Sequence, residues 1–127
     1  VLYTGSGTPT FLETGSGGFH KDKNPNVAFP ILIKNWVKDT VVLYIGKAGG
    51  SDYDTTLSKR LKDYLRFGKG ASVGHYGGRL IWQIRNSGDL LICWKTMISG
   101  EPRNVEAELI SEFATYYEKR PFANLAD

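Results

Sequence analysis

Thr40-Val41-Val42-Leu43-Tyr44-Ile45-Gly46-Lys47-Ala48 is the stretch on which the reading of this chain turns. Residues 40 to 45 are β-branched, aliphatic or aromatic without a break, and such a run halted by a glycine has the make-up of a strand buried on both faces. A turn through Ala48-Gly49-Gly50-Ser51-Asp52 follows. The next spacing predicts a helix from Thr55 to Phe67, with Asp54 or Thr55 as its N-cap and Gly68 as its stop. Leu57, Leu61 and Leu65 recur at four-residue intervals and define its apolar stripe. At about 100° per residue, Tyr64 falls about 20° and Arg60 about 60° to one side of Leu57, so both stand on the rim of that stripe.

Further along, Gly68 to Gly78 reads as a glycine-rich loop carrying Lys69 and His75, Arg79 to Ile84 as a short helical element, and Asn86-Ser87-Gly88 as a turn. Leu90-Leu91-Ile92-Cys93-Trp94 reads as another buried strand, with Cys93 as a packed core thiol. A final helix is expected from Pro102, a favoured first-turn residue, to Tyr117. Val105, Leu109, Ile110, Phe113, Tyr116 and Tyr117 form its apolar arc, and Glu106 falls in the middle of that arc while Glu108 points the opposite way. A carboxylate on a buried face needs a cation or a donor to offset its desolvation, so Glu106 requires a partner that Glu108 and Glu112 do not: a structural arginine or something bound. Upstream, residues 27 to 37 settle no period: Pro30 either opens a short helix, the reading preferred here, or sits on an edge strand. Residues 1 to 26 are rich in Gly, Ser, Thr and Pro, with a possible strand at Thr8 to Glu13 between flexible turns.

These 127 residues suit one domain spanning 1–127, with enough chain to bury a core, and the 41% apolar and 23% charged fractions are those of ordinary globular proteins. No apolar run is long enough to cross a bilayer, so the expected setting is soluble and cytoplasmic, with no membrane partner. One cysteine excludes a disulfide within the chain and argues against a zinc cluster. Net charge is only +3, but residues 47 to 85 carry eight Lys/Arg against three acids, while residues 86 to 127 carry four against seven. The middle of the chain, including Lys59, Arg60, Arg66, Lys69 and Arg79, therefore has the balance of a polyanion-binding face, although a solvated helix face has the same count.

Three of these stretches together resemble the GIY-YIG nucleases. Tyr44-Ile45-Gly46-Lys47-Ala48 is similar to the second signature strand and its turn. Leu57-Ser58-Lys59-Arg60-Leu61-Lys62-Asp63-Tyr64-Leu65 is similar to the family's arginine-bearing helix. Glu106-Ala107-Glu108-Leu109-Ile110, followed by Pro121-Phe122-Ala123-Asn124, resembles its E-x-x-L-I and P-x-x-N ending. The resemblance covers residues 41 to 124 in the right order. It implies an α+β fold, a small antiparallel sheet flanked by helices, and a metal-dependent DNA endonuclease. Tyr44 would then assist the attacking water, with Lys47 and Arg60 supplying the positive field a tyrosine needs to act on a proton. Arg60 would bind the scissile phosphate, and Glu106 would be the protein ligand of Mg²⁺ or Mn²⁺. Asn124 would help hold the site together, Tyr64 would occupy the place of a second tyrosine or histidine, and His75 would be either a site histidine or an ordinary loop residue.

One signature is missing. Where the family carries Gly-Ile-Tyr ahead of its second strand, this chain has Phe29-Pro30-Ile31. Either Tyr3 or the Phe11 region takes that place, or the first tyrosine is absent. The absence leaves a second reading open, a catalytically inactive nucleic-acid-binding or protein-interaction module of the same type. Gly74-His75-Tyr76-Gly77-Gly78-Arg79 reads either as a close backbone approach to a phosphate, with Arg79 on DNA, or as a structural turn.

Overall fold

Regular structure in the computed structural model, which describes residues 1–50 and 54–125, is helical. Helix α1 spans Phe29–Asn35, α2 Leu57–Gly68 and α3 Pro102–Tyr117, with 3-10 segments at Tyr76–Gln83 and Ser87–Asp89. Pro30 and Pro102 sit in the first turns of α1 and α3, where a missing N–H costs no helical bond. Helix α2 starts two residues later than expected, because Thr56 is its cap: its hydroxyl oxygen accepts from the Lys59 N–H at 3.1 Å. Of the turn expected before it, Ser51 and Asp52 lie outside the described residues.

The expected antiparallel sheet is not there: no strand or sheet forms among the described residues, and the extended stretches meet only at isolated bridges. Leu2 bridges Val42 on one side and Leu91 on the other, and Phe11 bridges Ile84. Leu2 N–H donates to the Leu91 carbonyl at 2.8 Å and the Leu2 carbonyl accepts from Leu91 N–H at 3.0 Å, while Tyr3 N–H donates to the Val41 carbonyl and Leu43 N–H to that of Val1. Each pairing ends before a ladder can form. After Tyr3 the chain enters Thr4-Gly5-Ser6-Gly7, with Gly7 in the left-handed region, and the Leu43 carbonyl is taken by Ala123 N–H at 2.8 Å. Nor is the 40–45 stretch buried on both faces, since Leu43 is buried while Val41 is half exposed. The same correction applies to 90–94. Leu90 and Ile92 pack on the core, but Leu91, Trp94 and the Cys93 thiol are exposed.

Helix α2 is rolled relative to its leucine stripe. Tyr64, Phe67 and Gly68 are its buried residues and Leu65 is exposed, because the aromatic rings offer more apolar area than the leucines and a glycine lets a neighbour approach. A side chain at Gly68 would run into the Trp82 indole, so the α2 terminus and the 76–83 segment are in direct contact. The roll carries Arg60, about 60° from Leu57 on the Tyr64 side, toward the protein interior.

The core gathers Leu32, Trp36, Leu43, Tyr64, Phe67, Leu80, Ile81, Trp82, Ile84, Phe122 and Ala123. Phe122 stacks on Phe11 at 5.7 Å and meets Trp36 edge-on at 5.4 Å. The N-terminal segment is held down rather than loose, by Gln83. This buried amide accepts from Val27 N–H at 2.8 Å and donates to the carbonyls of Val27, Leu12 and Glu13 at 2.9, 3.1 and 3.3 Å. Among the described residues, no helix is long and apolar enough to cross a membrane.

Candidate functional site

Four parts of the chain converge on one open pocket of about 380 Å³. Tyr44 and Lys47 come from the extended stretch and its turn, Arg60 from α2, Glu106 from α3, and Arg120 and Asn124 from the segment after α3. Gly77, at the start of the 3-10 segment, closes one side with its Cα close to the Tyr44 hydroxyl: a Cβ there would lie 3.9 Å from that oxygen.

The placement of Glu106 follows from helix geometry. On α3, with Val105 at zero, Phe113, Glu106, Tyr117 and Ile110 lie at about 80°, 100°, 120° and 140°. Phe113 is buried and the other three are half-buried, whereas Val105, Leu109 and Tyr116, at about 0° to 40°, are exposed. The apolar arc is thus narrower than its sequence suggests, and it centres on the acid. Glu108 and Glu112 are exposed, as expected.

Asn124 fixes the turn that presents Tyr44. Its amide oxygen accepts from Ile45 N–H at 2.9 Å and its amide nitrogen donates to the Ile45 carbonyl at 2.8 Å, so one side chain satisfies both backbone groups of one residue. Gly46 completes the arrangement: a Cβ there would lie 2.7 Å from the Tyr44 ring and 3.0 Å from its hydroxyl, inside van der Waals contact. The tripeptide Tyr44-Ile45-Gly46 is therefore ring, clamped peptide and ring seat in order.

Burial pushes the Tyr44 phenol above its ordinary range, and the Glu106 charge adds to that shift; the Arg60 guanidinium, by charge and by a hydrogen bond, pulls the other way without prevailing. Tyr44 is therefore a neutral phenol at physiological pH. The field of Arg60 is present as expected, but it does not turn Tyr44 into a ready phenolate.

Tyr64 and His75 sit behind Tyr44 rather than in the pocket. Both are buried, with ring centroids 5.1 Å apart; His75 lies 6.2 Å from Tyr44, and Tyr64 lies 4.8 Å from Trp82. Burial and the nearby Arg60 charge push the His75 imidazole down to about 4, and its Nδ1 has no hydrogen-bond partner among the described residues. Burial, and the neighbouring Tyr44, raise the Tyr64 phenol. These two groups support the wall behind Tyr44.

Arg60 Nη1 also donates to the Gly74 carbonyl at 3.4 Å, which ties α2 to the glycine-rich loop. The other basic residues of this region do not line the pocket. Lys59 and Arg66 are exposed and pair with Asp63 at 3.0 and 3.8 Å, Lys69 is the exposed C-cap of α2, and Arg79 is half-buried in the 3-10 segment. Tyr3 does not join Tyr44 either: it faces a separate depression with Thr10 and Arg85, its ring edge-on to Trp36 at 5.5 Å. Arg120 and Thr55 line the site without having stood out in the sequence, where an exposed arginine beside a Pro-Phe-Ala turn is indistinguishable from any surface cation.

Among the described residues no three His, Cys, Asp or Glu side chains cluster as a metal cage. Among the described residues Glu106 is the carboxylate lining the pocket, and a single carboxylate suits magnesium, which keeps most of its waters and takes substrate phosphate oxygens. Comparison with family models, curated proteins and solved structures finds no match to this chain.

Proposed function

We propose that this chain is a metal-dependent DNA endonuclease domain of the GIY-YIG type, hydrolysing phosphodiester bonds in the pocket between Tyr44, Arg60 and Glu106. The observation that carries the reading is their convergence: residues 44, 60 and 106, on three separate elements, line one pocket with Lys47 and Asn124. Those are the residues that the three motif resemblances single out.

In this reading Glu106 holds a Mg²⁺ or Mn²⁺ ion, which when bound supplies Lewis-acid activation of the phosphate and of a water. Arg60 binds the scissile phosphate and offsets charge as it grows on the phosphoryl oxygens. The neutral Tyr44 hydroxyl donates one hydrogen bond and accepts another, which orients a water for in-line attack. Lys47, at the pocket edge, adds positive charge where the DNA backbone enters. Asn124 and Gly46 hold Tyr44 in register, and Tyr64 and His75 stiffen the wall behind it.

The test is plasmid nicking by purified protein. With Mg²⁺ or Mn²⁺ the supercoiled form should convert to open circle, and Glu106→Gln should lose this while keeping the wild-type melting temperature. Nicking that persists in EDTA, or in the Glu106 variant, would remove the proposed chemistry. Retention of DNA with no cleavage under any metal would instead favour an inactive binding module.

A further inference from the structure

The proposed chemistry leaves unused a turn that the fold seats close to Arg60. Gly17 and Gly18 of the N-terminal segment pack on the glycine-rich loop after α2: Gly18 N–H donates to the Phe67 carbonyl at 2.9 Å, and a Cβ at Gly17 would lie 2.9 Å from the Phe67 ring. A Cβ at Gly18 would run into the Ala71 carbonyl, so this approach of backbone to backbone admits only glycine. Further along, the same loop is tied to the pocket. Arg60 Nη1 donates to the Gly74 carbonyl at 3.4 Å, and a Cβ on Gly74 would lie 3.8 Å from His20 Nε2. Covalent geometry then places the His20 imidazole within about 11 Å of the Arg60 guanidinium.

His20 opens a tight turn, His20-Lys21-Asp22-Lys23, closed by Lys23 N–H donating to the His20 carbonyl at 3.1 Å. Both central residues are left-handed, Lys21 at φ 53° and Asp22 at φ 57°. Two-residue hairpin turns demand this conformation, and glycine, asparagine or aspartate usually supplies it. Asp22 fits that rule. Lys21 does not: its Cβ crowds the following carbonyl oxygen, so the position carries strain that glycine would relieve. Strain kept on a rigid seat points to a use for the side chain, and Lys21 is exposed at the tip of the turn.

We propose that the turn from His20 to Lys23 is a DNA-backbone contact, with the Lys21 ammonium on a phosphate flanking the one held by Arg60. One strand advances about 3.4 Å per nucleotide, so a span of about 11 Å takes in neighbouring phosphates. A compact ammonium on a flexible stem suits a phosphate and reads no base. The assignment rests on the nuclease reading for the entry of DNA at the Arg60 pocket.

Lys21→Gly separates a DNA contact from a purely structural turn, because the two make opposite demands on it. Binding of a short duplex is measured in EDTA, so that nothing is cut, across a range of salt. Loss of one phosphate contact should leave the slope of log affinity against log salt shallower by about one, and affinity at about 50 mM salt roughly tenfold weaker. The melting temperature of the same variant should hold or rise, since glycine accepts the left-handed conformation without strain. Lys21→Arg, which keeps the charge, should keep the wild-type slope. A Lys21→Gly protein with the wild-type slope overturns the assignment, and so does a Lys21→Arg protein whose slope falls as far as that of the glycine variant. If the wild type nicks plasmid while the Lys21→Gly slope is unchanged, the turn contact fails and the nuclease reading stands; if the wild type neither binds nor cuts DNA, both fall.

Discussion

Asn124→Asp changes one group of the clamp on Ile45 and should be felt at both of its ends. In the native site the amide accepts at 2.9 Å and donates at 2.8 Å. At neutral pH the aspartate still accepts from the Ile45 N–H, but it sets a charged oxygen against the Ile45 carbonyl. Two neutral hydrogen bonds contribute about 1 to 3 kcal/mol together, so Asn124→Ala should lower stability by that amount, and Asn124→Asp at pH 7 by at least as much. For a domain of this size each kcal/mol is worth about 4 °C in melting temperature, which predicts a fall of roughly 4 to 12 °C. Acid should separate the two variants. A protonated carboxyl can donate to the Ile45 carbonyl, so the folded state favours the protonated form and raises its pKa above the ordinary value near 4. The added stability is complete below that ordinary value and is lost as pH rises through the raised one. Thermal unfolding followed by circular dichroism, each variant compared with wild type at the same pH, should show the Asp deficit shrinking between pH 7 and about 4 while the Ala deficit stays constant. Two variants melting within about 1 °C of wild type, or an Asp deficit independent of pH, would refute the clamp.

Gly46→Ala places a methyl 2.7 Å from the Tyr44 ring and should cut plasmid nicking far more than it lowers DNA affinity; equal losses in a gel-shift and a nicking assay would contradict the ring-seat role. The His75 imidazole is held neutral by burial, down to about 4 against an ordinary value of 6.5, so its contribution is fully present above pH 6.5 and is lost as pH falls toward 4. Urea midpoints of wild type should therefore fall over that window, by an amount of up to about 3 kcal/mol, and His75→Phe should flatten the fall; an identical pH profile in the variant would show that His75 is not the group responsible. Gln83→Leu leaves part-buried backbone groups of Leu12, Glu13 and Val27 without the Gln83 amide and should cost about 1 to 3 kcal/mol in urea unfolding, with faster hydrogen exchange at Val27; wild-type exchange there would argue against the staple.

How much of this could be read from the residues depends on which physical quantity each pattern reports. Helix α3 was legible end to end, because Pro102 marks its first turn and the 3.6-residue period carries the chain to Tyr117. The same period put Glu106 on the inward face, and the motif order placed residues 44, 60 and 106 together before any geometry was known. Composition was a poorer guide to pairing. Val41 and Val42 signal an extended backbone, but whether a partner runs alongside for one residue or five depends on distant segments: Leu2, Leu91 and Ala123 each take only one or two backbone hydrogen bonds and no ladder results. A run of apolar residues likewise cannot say which side faces the core, which is why Leu65 and Cys93 are exposed while Tyr64 is buried. Gln83 is a polar residue whose burial depends on a loop more than fifty residues away, and nothing near it in sequence announces that role.

The most direct measurement is a crystal of the protein with a short DNA duplex, soaked in manganese and recorded at the manganese absorption edge. The account predicts an anomalous peak at about 2.0 to 2.2 Å from a Glu106 carboxylate oxygen, on the pocket side, with a phosphate oxygen also in reach of Arg60. A peak elsewhere on the protein, or bound DNA whose phosphates pass the Tyr44, Arg60 and Glu106 pocket by, would contradict it.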